Sequence, residues 1–153
     1  MSRRISSLVL AVSLVAGVIG SQPRAHAQAA APAAQPNPYL VEWVYRVKYG
    51  SQDEWWKLFQ KYQIATLDKE KELGYVNTYH VVRPGLHTSE DSRWDYRIVI
   101  VYKDQASASH GGEVEKSLFP DAEQRKREEN RRWELTTNHW DLPIREVDPH
   151  IAD

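Results

Sequence analysis

The chain has no cysteine, only one methionine and only two phenylalanines among its 153 residues. Without thiols there is no disulfide framework, and no lipid anchor can be attached at an export cleavage site. A zinc site would have to gather histidines and carboxylates from distant elements, because no H-E-x-x-H or related ligand spacing occurs. Nucleophile elbows, phosphate loops and dinucleotide fingerprints are also missing. The longest apolar stretch, Leu8–Ile19, covers twelve residues. As a helix it would reach about 18 Å, well short of a hydrocarbon core of about 30 Å. An excess of basic charge is lacking too, with 20 Lys and Arg against 21 Asp and Glu. That balance excludes nucleic acid and anionic membrane as expected partners. No internal repeat is visible.

What the N-terminus does hold reads as an export signal. Arg3 and Arg4 form a basic segment, Leu8–Ile19 an apolar one, and Ala25-His26-Ala27 a small-residue cleavage site. Cleavage after Ala27 would leave 126 residues and remove three arginines, giving 17 basic against 21 acidic residues, a formal charge of −4. The expected location is the periplasm or the extracellular medium, with no membrane contact once the signal is cut. Residues 28–38 form an Ala/Pro/Gln tether with nothing to pack. One domain is expected over 39–148, followed by a tail over 149–153.

Within the domain, Tyr39–Tyr49 alternates as a strand and Gly50 ends it. Ser51 and Glu54 stand at capping-box spacing before a helix on which Trp55, Phe59 and Tyr62 recur, and Gly74 is its natural stop. Tyr75–Arg83 and Trp94–Lys103 read as a hairpin with a long polar loop. Asp104 starts a short helix through His110, which Gly111-Gly112 interrupts, and residues 113–119 add a turn or two. Asp121 then caps a longer helix to about His139, with Glu128 four residues before Arg132 as a favourable pair. Leu142–Val147 is a final strand.

The order β-α-β-β-α-β predicts an α+β, ferredoxin-like domain, a four-stranded antiparallel sheet with helices on one face. Strands Leu40–Tyr49 and Trp94–Lys103 are apolar on both sides, so both faces of the sheet need cover. Two helical regions suffice for one layer, and a second copy of the chain is the expected cover for the other. Asp95 and Arg97 point into that second face and need partners, for which Glu42 and Arg46 are the candidates.

Leu73-Gly74-Tyr75-Val76, Arg93-Trp94-Asp95-Tyr96, Leu118-Phe119-Pro120-Asp121, Arg132-Trp133-Glu134-Leu135 and His139-Trp140-Asp141 carry a likeness to known proteins. With them, the chain resembles the dimeric α/β-barrel superfamily, and within it exported bacterial members of unassigned function. The resemblance implies two ferredoxin-like units packed sheet to sheet. It also implies a cleft between sheet and helices that often holds a small organic molecule. Haem-degrading members pair an asparagine on the first strand with a tryptophan on the third and a histidine in the following helix. Trp94 and His110 stand only loosely in the place of the last two, and Leu40–Tyr49 contains no asparagine, which counts against haem degradation.

Six tryptophans in so small a domain either line a pocket for an aromatic ligand or anchor core and interface. The ligand-binding candidates are Trp43, Trp55, Phe59, Tyr79, Tyr96, His110 and Trp133. For catalysis the candidates are His80 and His139 as proton handlers and Trp94 as a positioning group, each also explicable as a packed, hydrogen-bonded side chain. His139 is expected at a helix C-terminus, where the macrodipole favours a positive ring. No cofactor and no metal are expected. Three roles follow: a homodimer that binds a small apolar or aromatic molecule, a cofactor-independent oxygenase or isomerase, or a structural dimerisation module. The first requires a cavity of about 300 Å³ or more touched by several aromatic rings.

Overall fold

The computed structural model describes residues 37–86 and 88–151. The expected signal peptide, its cleavage site and most of the tether lie outside the described residues. Four strands, β1 (Tyr39–Val47), β2 (Val76–Val82), β3 (Tyr96–Tyr102) and β4 (Thr136–Ile144), form one antiparallel sheet in the order β2-β3-β1-β4. Helices α1 (Gln52–Phe59) and α2 (Ala65–Glu72) follow β1, joined by a π-helical turn over Gln60–Ile64. Helices α3 (Gly111–Leu118) and α4 (Ala122–Leu135) lie between β3 and β4. The expected ferredoxin-like α+β architecture is therefore what the chain builds.

The two-residue period of the strands decides which side chains meet the helices. In β1, Val41, Trp43 and Tyr45 pair with Ile100, Ile98 and Tyr96 of β3 on the helix side. Trp55 of α1 enters this surface with ring centroids 5.0 Å from Tyr45, 4.7 Å from Phe59 and 4.8 Å from Tyr96. It is fully buried, and its indole N–H donates to the Thr136 hydroxyl at 2.9 Å. One side chain thus ties α1 to the middle of the sheet and to the start of β4.

The last helix and strand differ from expectation. α4 ends at Leu135 rather than near His139, and β4 begins at Thr136 rather than Leu142. Thr136 and Thr137 are β-branched and suit a strand, and pairing with β1 sets Tyr45 opposite His139 and Val44 opposite Trp140. The Thr136 hydroxyl also donates to the Arg132 carbonyl at 3.0 Å, satisfying one acceptor of the helix's last turn. Because β4 is an edge strand, Pro143 interrupts no ladder on its outer side.

Caps and charges follow local geometry. Asp121 accepts from the Gln124 amide at 2.9 Å, as expected, whereas the Ser51 side chain makes no cap. Gly74, at φ 78°, ends α2. Asp104 organises a short 3₁₀ turn over Ser107–Ser109, and Gly111 opens α3 instead of breaking a helix. Arg97 meets Glu42 at 3.7 Å, as expected. Asp95, in contrast, is held by Arg93 and the Val47 amide (2.9 and 2.8 Å), while Arg46 pairs with Glu90. The reason is position: Asp95 precedes β3 and sits where β1 runs out of ladder partners. Glu128 takes Lys61 and Tyr62 across the helix pair, so Arg132 turns to Glu129 at 2.8 Å.

Among the described residues no helix packs on the opposite face. There Leu40, Val44, Val82, Val99 and Val101 alternate with the core residues, and Trp140, Leu142 and Ile144 extend the surface onto β4. Val82, Leu142 and Ile144 remain 47%, 44% and 36% exposed.

Removing the Trp55 side chain leaves a void among three rings, so Trp55→Ala should lower unfolding free energy by about 3–5 kcal/mol. Urea denaturation with an unchanged slope is the check. A loss below about 1 kcal/mol would mean that the stack is not the centre of the core.

Candidate functional site: a cleft between the sheet and helices α2 and α3

The buried stripe of the first helical region starts aromatic, with Trp55 and Phe59, and turns polar as it continues. Its later positions are Gln63, Thr66 and Glu70, spaced three and four residues apart and so stacked on one helix face. This face looks into a cavity of about 230 Å³. Trp43 and Tyr102 wall it from the sheet, and Glu115 closes it from α3.

Glu70 is 2% exposed and Thr66 6%. Among the described residues, five buried side-chain polar atoms have no hydrogen-bond partner, and three of them belong to this face: Gln63 Oε1, Thr66 Oγ1 and Glu70 Oε1. A buried polar atom without a partner costs about 1–3 kcal/mol, so their concentration here is informative. Gly111 provides the room: a Cβ at that position would lie 3.4 Å from the nearer Glu70 oxygen. Desolvation pushes the Glu70 carboxyl up to about 7. Burial, and after it the Glu70 charge, raises the Tyr102 hydroxyl. The Glu115 carboxyl is raised by burial and then by Glu129, while Arg125 at 3.2 Å opposes the shift. The cleft is therefore acceptor-rich, aromatic on one side, and equipped with a carboxyl group that titrates near neutrality.

The residues anticipated as ligand contacts disperse. Trp43 lines the cavity, while Trp55, Phe59 and Tyr96 form the core stack beside it. Tyr79 donates to Asp68 at 2.6 Å. His110 stacks on Tyr75 with centroids 4.2 Å apart, in a separate shallow pocket. Trp133 is 45% exposed and meets the edge of His139. The catalytic candidates do not converge either. His80 is exposed on the open sheet face opposite Val99. Trp94 carries the Arg97 guanidinium over its ring at 4.4 Å. His139 lies in β4, not at a helix end, stacked on Tyr45 at 4.0 Å. Its Nδ1 faces the Val44 carbonyl at 2.9 Å and its Nε2 faces Asp141 at 3.0 Å, so both ring nitrogens are engaged.

Glu70, Thr66 and Gln63 escaped the sequence reading, which followed apolar residues alone. Their signal was present nonetheless: polar residues recurring where the helical period demands apolar ones. The cavity is smaller than the expected 300 Å³ and touches two rings rather than several.

The sequence matches no protein-family model and no curated protein. Solved structures do resemble it. A dimeric ferredoxin-like protein from an uncultured marine organism aligns over 76% of this chain and 93% of its own, at 8% identity and a TM-score of 0.54. A NIPSNAP family protein of Agrobacterium tumefaciens aligns over 74% and 90% at 18% identity and 0.46. SnoaB, a cofactor-independent oxygenase from Streptomyces nogalater, aligns over 74% and 97% at 14% identity and 0.39. The first likeness shows the fold, and the expected ferredoxin-like architecture is borne out.

Glu70 also makes a pH prediction. The unfolded carboxyl titrates near 4.5 and the folded one near 7. Between these values the folded chain holds the extra proton, so stability falls as pH rises through the window. Above it the full penalty stands, about 3 kcal/mol. Glu70→Gln should flatten this slope and raise stability at about pH 8 by about 2 kcal/mol. Urea unfolding at about pH 5 and about pH 8 reads both. An unchanged slope would show that Glu70 is solvated.

Proposed function

We propose that the protein is an exported homodimer that binds a small organic molecule in the cleft between sheet and helices. The observation that carries the binding role is the trio of unpartnered acceptors on the helix face that lines the cleft, Gln63, Thr66 and Glu70. Proteins rarely leave such atoms unsatisfied, and a bound molecule would supply the missing donors. Export rests on the Arg3-Arg4, Leu8–Ile19 and Ala25-His26-Ala27 pattern.

Dimerisation rests on the uncovered face. Exposed Val82, Leu142 and Ile144 join half-buried Leu40, Val99 and Val101 in an apolar surface of the kind that monomers seldom expose. A second copy would cover it by sheet-on-sheet packing, with the Arg97–Glu42 pair setting register. A relative of the same fold is itself described as dimeric. An enzymatic role stands second. It is favoured by one feature, the Glu70 carboxyl tuned near neutrality, where a general acid or base works best.

Native mass spectrometry of protein purified from its own host should report twice the subunit mass together with a retained small molecule. A bare single subunit would overturn both parts. Val99→Asp places a charge on the central strand of the open face, and should weaken self-association by about a hundredfold or more in sedimentation experiments. Unaltered association would place the contact elsewhere.

A further inference from the structure

Resting on the binding role proposed above, we infer that the occupant of the cleft is a small protonated amine with an apolar body. Its ammonium group sits on the Glu70 carboxylate and on the Gln63 and Thr66 oxygens. Three observations carry the chemistry. An ammonium offers three N–H donors and no acceptor, and the cavity offers three unpartnered side-chain oxygens on one helix face. The lining includes two carboxyl groups, Glu70 and Glu115, and no lysine or arginine. Two guanidinium groups act on Glu115 from α4: Arg125 is spent on Glu115 and the Phe119 carbonyl, and Arg132 on Glu129. An anionic ligand would therefore enter a site of its own sign, whereas a cation would find a counter-ion in a poorly hydrated place. Finally, the sheet side is aromatic. Trp43 and Tyr102 present ring surface to an apolar body or to the cation itself. Gly111 carries no side chain against the buried Glu70 carboxyl, where an added Cβ would lie 3.4 Å from Oε1.

The seating has a proton balance. The empty cleft holds Glu70 partly as the neutral acid, and the amine arrives with its own proton. Binding the cation selects the carboxylate, and Glu70 releases its proton to solvent. The other titratable groups facing Glu70 are the Tyr102 hydroxyl on β3 and the Glu115 carboxyl on α3. Neither supplies a positive charge. His110, just before α3, is engaged with the Tyr75 ring. Affinity for an amine should therefore rise with pH through the Glu70 titration and hold until the amine itself deprotonates.

The test uses the mature dimer and three probes of similar shape, benzylamine, benzyl alcohol and benzoate, followed by titration calorimetry and by the Trp43 indole resonance. Benzylamine should bind about tenfold more tightly than benzyl alcohol at about pH 8, and lose about tenfold between about pH 8 and about pH 6. Glu70→Gln should abolish both the preference and the pH dependence while still admitting benzyl alcohol, which shows that the cleft survives. Gly111→Leu, which fills the mouth beside Glu70, should exclude all three probes without shifting the thermal midpoint of the sheet core. Benzoate or benzyl alcohol binding as tightly as benzylamine, or amine binding indifferent to pH, overturns the amine and leaves a cleft that binds something else. Silence of all three probes overturns the binding role itself.

Discussion

The two central strands of the sheet are greasy on both faces, while the chain carries helices enough for one. β1 and β3 place Tyr45, Ile98 and Ile100 against α1 and α2, and the same strands present Leu40, Val99 and Val101 on the other side. Burial of apolar area is the main force available to a domain of this size. Where Val82, Leu142 and Ile144 of the second face stay exposed, part of that force is left unused. The architecture of the chain, the order of its strands and the need for a covering surface all descend from this imbalance.

On the covered side the packing is not uniform. At the α1 end, Trp55 stacks among Tyr45, Phe59 and Tyr96, and its one polar atom is satisfied by Thr136. One helix further along, the same stripe delivers Gln63, Thr66 and Glu70 to a space that neither the sheet nor α3 fills. The aromatic end holds α1 and β4 to the sheet. The polar end stores unfavourable desolvation, and a fold can keep such a group only where the rest of the core more than offsets it. Stability and a candidate binding surface thus share one helix face, divided along its length.

The charged residues show how local geometry overrides simple pairing rules. Glu128 has Arg132 at helical spacing, yet it reaches across to Lys61 and Tyr62, because α4 brings it against the first helical region. Asp95 finds partners beside it in Arg93 and in the free amide of Val47. Arg97 and Glu42, diagonal neighbours on adjacent strands of the open face, form the cross-strand pair that alternation alone suggests.

The element order, the antiparallel sheet, the helices on one face and the two-sided strands were all legible in the chain, because each follows from a local period or a local stop signal such as Gly74. The α4–β4 boundary was not, since Thr136–Trp140 becomes strand only by pairing with β1. The cleft was illegible for a related reason. Whether a polar residue at a helical core position faces solvent or an enclosed space depends on what the sheet and α3 set opposite it. Periodicity along one element determines which residues share a face. Only the folded chain, by setting residues far apart in sequence such as Trp43 and Glu70 around one cavity, decides what that face meets.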